Sequence, residues 1–144
     1  MAATYRLNVG RRLVNVIVKR LVRAGRAGEH TYLLTVRGRK SGRSYSTPVT
    51  LVETPEARWL VAPYGEVGWV RNLRAAGEVT LSRAGSSKAL RVIEEQPAEA
   101  APVLQQYLSA VRVTRPFFDV RPDATLEEFT AEAPEHPVFR LLDG

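Results

Sequence analysis

The sequence predicts an α+β protein built around an antiparallel, barrel-like sheet. Three observations carry this expectation: short β-forming segments crowd the middle of the chain, helical patterns stand at its ends, and one short helix forms a crossover between strands. At 144 residues, with 44% hydrophobic and 25% charged residues, the chain has the length and balance of one globular domain, 1–144, with a single real core.

Each element follows from a local pattern. Over 6–24, Val9, Leu13, Val14, Val16, Ile17, Leu21 and Val22 form a broad apolar arc, while Arg12, Asn15, Lys19 and Arg23 form a polar stripe at helical spacing. Gly25 and Gly28 end that helix. Its basic stripe faces either water or an anionic bilayer. Strands are expected at 31–37, 48–53 and 58–62, each rich in β-branched or aromatic residues. A hairpin follows, with strands 78–83 and 88–93 turning about Ala84, Gly85 and Ser86. Between the third and fourth strands lies the crossover helix, 67–76, stopped by Gly77. A longer helix covers 98–113, entered through Pro97. Pro116, Pro122, Pro134 and Pro137 break up the tail, leaving a helical turn at 126–129 and a last strand at 138–142.

Composition removes several function classes. The absence of cysteine excludes disulfides, thiolate zinc sites, iron–sulfur clusters and a cysteine nucleophile. The two histidines, His30 and His136, lack ligand spacing, so no transition-metal site is expected. No run approaches the roughly 20 apolar residues of a spanning helix, and no secretory signal is present, so a cytoplasmic protein is expected. Ser41, Ser44 and Ser46 have no neighbouring histidine with an orienting carboxylate. Glu94, Glu95, Glu99, Glu127 and Glu128 read as solvated faces. Missing acid, base and metal machinery suits a binding protein, or an enzyme whose cofactor brings the chemistry. The 21 Lys+Arg against 15 Asp+Glu, a net +6, favour an anionic partner.

The cations concentrate in one place. Arg37, Arg39, Lys40 and Arg43 lie within seven positions between the first two strands, with Gly38 and Gly42 allowing backbone conformations closed to other residues. Backbone amides beside Arg, Lys and Ser41 can cradle a phosphate, although spacing alone leaves a solvated basic hairpin equally open. A second feature is the turn at 62–65, which places Tyr64 beside the N-terminus of the crossover helix, an end that accepts negative charge. On that helix Trp69 and Leu73 should face the core, and Asn72 an adjacent side as a cap, a surface amide or a partnered buried group. Tyr107, Phe117 and Phe118 read as core aromatics or as the mouth of a substrate pocket.

Taken in order, Gly38-Arg-Lys-Ser-Gly42, then Thr47-Pro48-Val49, then Trp69-x-x-Asn72-Leu73 with Ala75 resemble the deazaflavin-dependent nitroreductase family. The similarity runs from about Thr31 to Arg83 and returns in the tail at 137–141. The resemblance implies a split β-barrel oxidoreductase that uses coenzyme F-420. It assigns Arg39, Lys40 and Ser41 to the coenzyme's phosphate and acidic tail. Thr47, Pro48 and Val49 would pass along the deazaflavin ring, Ala62, Pro63 and Tyr64 would add backbone contacts, and Gly68, Trp69 and Asn72 would close the pocket. Two departures stand out: Tyr45 replaces a family arginine, for which Arg43 could substitute, and the segment from Tyr64 to Trp69 is shorter and lacks a Lys-Gly-Gly run.

The reaction so implied is hydride transfer from the reduced deazaflavin to an electron-poor, apolar acceptor such as an enone, quinone, unsaturated acyl group or nitro compound. Tyr64 or solvent would supply the proton. An FMN-binding split barrel is the nearest alternative, since a phosphate cradle does not separate the two cofactors. A nucleic-acid binder, suggested by a sequence pI of about 10.2, lacks a basic recognition helix. A lipid- or membrane-surface module would use the helix at 6–24. The expected partners are a small-molecule electron acceptor and, through that helix, a membrane surface, in a monomer or homodimer that binds no nucleic acid.

Overall fold

The structure, a computed structural model, describes residues 30–143; the helix expected over 6–24 lies outside the described residues. Six strands, β1 (Thr31–Arg37), β2 (Ser44–Glu53), β3 (Arg58–Val61), β4 (Glu78–Arg83), β5 (Ser86–Glu94) and β6 (Val138–Asp143), close into a barrel in the order β1-β2-β3-β6-β5-β4. Every pairing is antiparallel, and β4 returns to β1 through Leu34↔Leu81 and its neighbours. The closure is partial in places: β2 meets β3 only over Leu51–Glu53, and β1 meets β4 only over Leu33–Thr35. Among the described residues three helices accompany the barrel: α1 (Gly68–Ala76), α2 (Pro97–Ala110) and α3 (Leu126–Glu132), with 3-10 turns at Arg112–Phe117 and Ala133–Glu135.

The side-chain period of two sorts each strand's residues between two cores. Leu34, Val49, Leu51, Leu60 and Phe139 point into the barrel, where Val70 and Leu73 of α1 join them. Their neighbours Val52, Val61 and Val138 point outward and pack against Leu104, Leu108 and Phe129 of α2 and α3. Strands β2, β3 and β6 are therefore covered on both faces along this stretch. Each fully buried Leu or Phe contributes roughly 1.5–3 kcal/mol of transfer free energy.

Local chemistry accounts for where the elements differ from expectation. Strand β2 starts at Ser44 rather than 48, because Tyr45, Ser46 and Thr47 continue the ladder opposite Val36, Thr35 and Leu34. Helix α2 ends at Ala110 rather than 113. The Arg115 guanidinium donates to the carbonyls of Leu108 and Ser109, and the Thr114 hydroxyl donates to that of Val111, satisfying the orphaned end. Helix α3 is longer than one turn because Thr125 and Glu128 form a capping box at its start.

Of the acidic residues read as solvated faces, Glu94, Glu99, Glu127 and Glu128 are exposed and Glu95 is half-buried, and three of the five also make side-chain contacts. Glu128 is part of that box, Glu94 accepts two hydrogen bonds from Arg74 at 2.8 and 2.7 Å, and Glu95 accepts one from Trp59 Nε1 at 3.2 Å. Among the described residues no helix is long and apolar enough to cross a membrane.

Candidate functional site

The loop between β1 and β2 is closed by its own backbone. The Gly38 amide donates to the Arg43 carbonyl at 2.7 Å and the Gly42 amide to the Gly38 carbonyl at 3.1 Å. Gly42 adopts φ +73°, a conformation that favours glycine. Gly38 is glycine for another reason than backbone freedom: a Cβ there would lie 2.5 Å from the Tyr45 ring. That ring covers the loop, and its hydroxyl lies 3.2 Å from Ser41 Oγ, which also accepts from the Arg43 amide.

Asn72 ties this loop to α1. It is buried, and its Oδ1 accepts from the Arg39 amide at 3.1 Å and from Arg39 Nη1 at 2.7 Å. A buried amide needs such partners, and here they come from a residue 33 positions earlier. Helix α1 itself starts at Val67 with no side-chain cap, and its first turn holds no acidic residue. Among the described residues the amides of Gly68 and Trp69 have no hydrogen-bond acceptor, so the helix presents its positive end with free donors.

Between loop and helix lies a cleft of about 310 Å³, lined by Gly38, Arg39, Lys40, Ser41, Tyr45, Gly68, Trp69 and Asn72. Among the described residues no carboxylate lines it. Trp69 is half-buried, packing one side on the barrel core while also facing the cleft. The cleft combines two cations, two hydroxyls, a helix N-terminus and an indole, a donor set fit for a polyanion carrying an aromatic ring.

The remaining sequence candidates lie outside this cleft's lining. Arg43 contributes backbone closure to the loop rather than a side chain to the cleft. Thr47 and Pro48 are half-buried on β2, and Val49 belongs to the barrel core. Ala62 is buried, its amide donating to the Pro137 carbonyl and its carbonyl accepting from Gly65. Tyr64 stands at the tip of that turn, its ring edge-on to Phe117 at 4.7 Å between centroids. Of the three aromatics considered for a substrate mouth, Tyr107 and Phe118 are buried in the outer core and only Phe117 is half-exposed beside Tyr64.

Sequence reasoning missed one polar group near the site. His136, only 3% exposed, places Nδ1 2.8 Å from the Pro63 carbonyl and Nε2 2.7 Å from Glu132 Oε2. The i,i+4 spacing of Glu132 and His136 at the end of α3 was the available signal.

A small closed barrel with a cationic cleft, in which no carboxylate stands among the described residues, fits the class of proteins that take an anionic ligand. The sequence pattern of the F420H(2)-dependent quinone reductase family matches residues 6–130. The chain belongs to that family: it is an F420-dependent reductase, and its cofactor is coenzyme F420. Solved structures share its fold. An F420-H2 dependent reductase, FDR-A, is 19% identical with a TM-score of 0.54, covering 78% of this chain and 94% of its own. A protein described as a domain-swapped dimer is 17% identical with a TM-score of 0.56, covering 92% and 96%. An FAD-binding protein from Mesorhizobium loti is 12% identical with a TM-score of 0.51, covering 89% and 88%. Comparison with curated proteins returned no match.

Proposed function

We propose that the cleft between the 38–43 loop and α1 seats coenzyme F420 and that the protein reduces an electron-poor, apolar small molecule, a quinone first among the candidates. The observation that carries this reading is the cleft's charge: Arg39, Lys40 and the start of α1, which has no side-chain cap, line one cleft in which no carboxylate stands among the described residues. When bound, the coenzyme supplies the hydride. The chain's own residues do the rest. Arg39, Lys40 and Ser41 hold the anionic part through charge-assisted hydrogen bonds. Trp69 offers an aromatic wall, and the half-buried Thr47 and Pro48 on β2, with the turn at 62–65, border the side where the acceptor enters. Holding donor and acceptor in a dry, fixed geometry is the main catalytic contribution available to such a site.

The family name supports a quinone, and the half-exposed Phe117 beside Tyr64 supports an apolar entry. A basic stripe on the 6–24 segment would bring the protein to the cytoplasmic membrane surface where such acceptors dissolve, in a single-domain monomer or homodimer.

Fluorescence titration with oxidised F420, with FMN as the control ligand, tests the coenzyme assignment. Replacing Arg39 and Lys40 together by alanine should weaken F420 binding by about tenfold to a hundredfold, the range for losing charge-assisted bonds. Affinity equal to the unaltered protein's would overturn the cleft assignment.

A further inference from the structure

The turn at 62–65 is held by a buried polar pair that the binding reading leaves without a role. Pro63 follows Ala62 in a turn closed by the Gly65 amide donating to the Ala62 carbonyl at 3.3 Å. Pro63 is itself buried, so its carbonyl needs a donor inside the protein. That donor is His136 Nδ1 at 2.8 Å; because a carbonyl only accepts, Nδ1 must carry the hydrogen. The other ring nitrogen meets Glu132 Oε2 at 2.7 Å, and the same oxygen accepts from the Asp119 amide at 3.1 Å. The imidazole stacks on Phe118, centroids 3.7 Å apart, while the adjacent Phe117 meets the ring of Tyr64. Two consecutive aromatics thus grip two consecutive turn residues, one directly and one through His136.

We propose that His136 and Glu132 are a positioning pair that sets the height of the 62–65 turn against the acceptor side of the cleft. Burying two titratable groups is a poor route to stability, because an apolar pair of the same volume would do as well. What the pair adds is direction: one fixed hydrogen bond to the single carbonyl between Ala62 and Tyr64. The cationic loop is anchored separately by Asn72, so the pair governs geometry at the acceptor rather than coenzyme affinity. The inference rests on the reading that the turn borders the acceptor.

The test compares His136→Phe, which keeps a ring against Phe118 but removes both hydrogen bonds, with Glu132→Gln, which keeps a hydrogen-bonding partner for the ring, and Glu132→Leu, which does not. Amide hydrogen exchange over 62–67 is read without coenzyme, F420 affinity by fluorescence, and kcat with a short-chain benzoquinone. His136→Phe and Glu132→Leu should speed exchange over 62–67 and lower kcat by about tenfold or more, with F420 affinity held within about threefold. Glu132→Gln should restore most of both. If His136→Phe does not fold, the two Glu132 variants decide. Unchanged exchange and kcat in His136→Phe, or in Glu132→Leu if that variant stands alone, would overturn the proposal. Failure of the unaltered protein to bind F420 would instead remove the cleft reading, while the exchange measurement still judges the clamp.

Discussion

Tyr64 concentrates what single residues decide in this protein. Its ring is fixed edge-on to Phe117 while its hydroxyl stands on a turn whose neighbour Pro63 is tethered by His136. If that hydroxyl delivers the product's proton, Tyr64→Phe should lower kcat with a quinone while leaving F420 binding and the Phe117 contact intact. Turnover at the original rate would pass the role to solvent. The sequence placed Tyr64 on this turn because Pro63 and Gly65 are turn residues with distinct mechanical uses, a pre-set φ and a positive one, here +85°. It set His136 aside for lack of metal-ligand spacing; the spacing to Glu132 was readable, but its partner carbonyl lies 73 positions away.

The bridge between loop and helix belongs to the next scale up. Asn72 is a neutral acceptor for a cationic partner, so it fixes Arg39 without cancelling its charge. Two substitutions separate these effects. Asn72→Ala frees the loop from α1 and should weaken F420 binding by about tenfold. Asn72→Asp should hold Arg39 as firmly, and keep or raise the melting temperature, yet weaken F420 binding further by placing an anion in the cleft. Tighter binding to Asn72→Asp than to the unaltered protein would refute the bridge as a charge-sparing device. Most elements were legible because local signals agree: period-two segments became strands, and Gly77, with φ +72° and its amide donating to the Leu73 carbonyl, stops α1 where the pattern ends. The misplaced end of α2 has a plain cause. Its apolar residues continue to Val113, but the competing acceptor demand of its last carbonyls is met by Thr114 and Arg115, which fold back as a 3-10 turn.

At the scale of the whole molecule, the outer core responds to alkali through Tyr107. Burial in the outer core raises its phenol above the ordinary value of 10.0, the neighbouring Tyr64 pushes the same way, and a hydrogen bond with Thr114 opposes them. As pH climbs past about 10 the unfolded chain loses this proton first, so it binds fewer protons than the native state and stability falls. Below that pH the contribution is constant. Tyr107→Phe should therefore cost about 1 kcal/mol near neutrality, from the lost hydrogen bond, and less as pH rises above 10. Urea unfolding at pH 7 and at pH 11 measures both; a constant difference between the two proteins would contradict the burial argument. Tyr32 is raised as well, mainly by burial and then by Glu53, so part of the alkaline slope survives the substitution.

The order of strands around the barrel was not legible. Nothing local marks β6 as the partner of both β3 and β5, because closure is a long-range pairing with no sequence period of its own. That stave has a consequence for the whole barrel. Only β6 fills the gap between β3 and β5, with Phe139 set opposite Leu60 and Asp143 opposite Leu90. Barrel closure therefore waits on residues 138–143, and loss of that segment would leave β3 and β5 each without their shared partner.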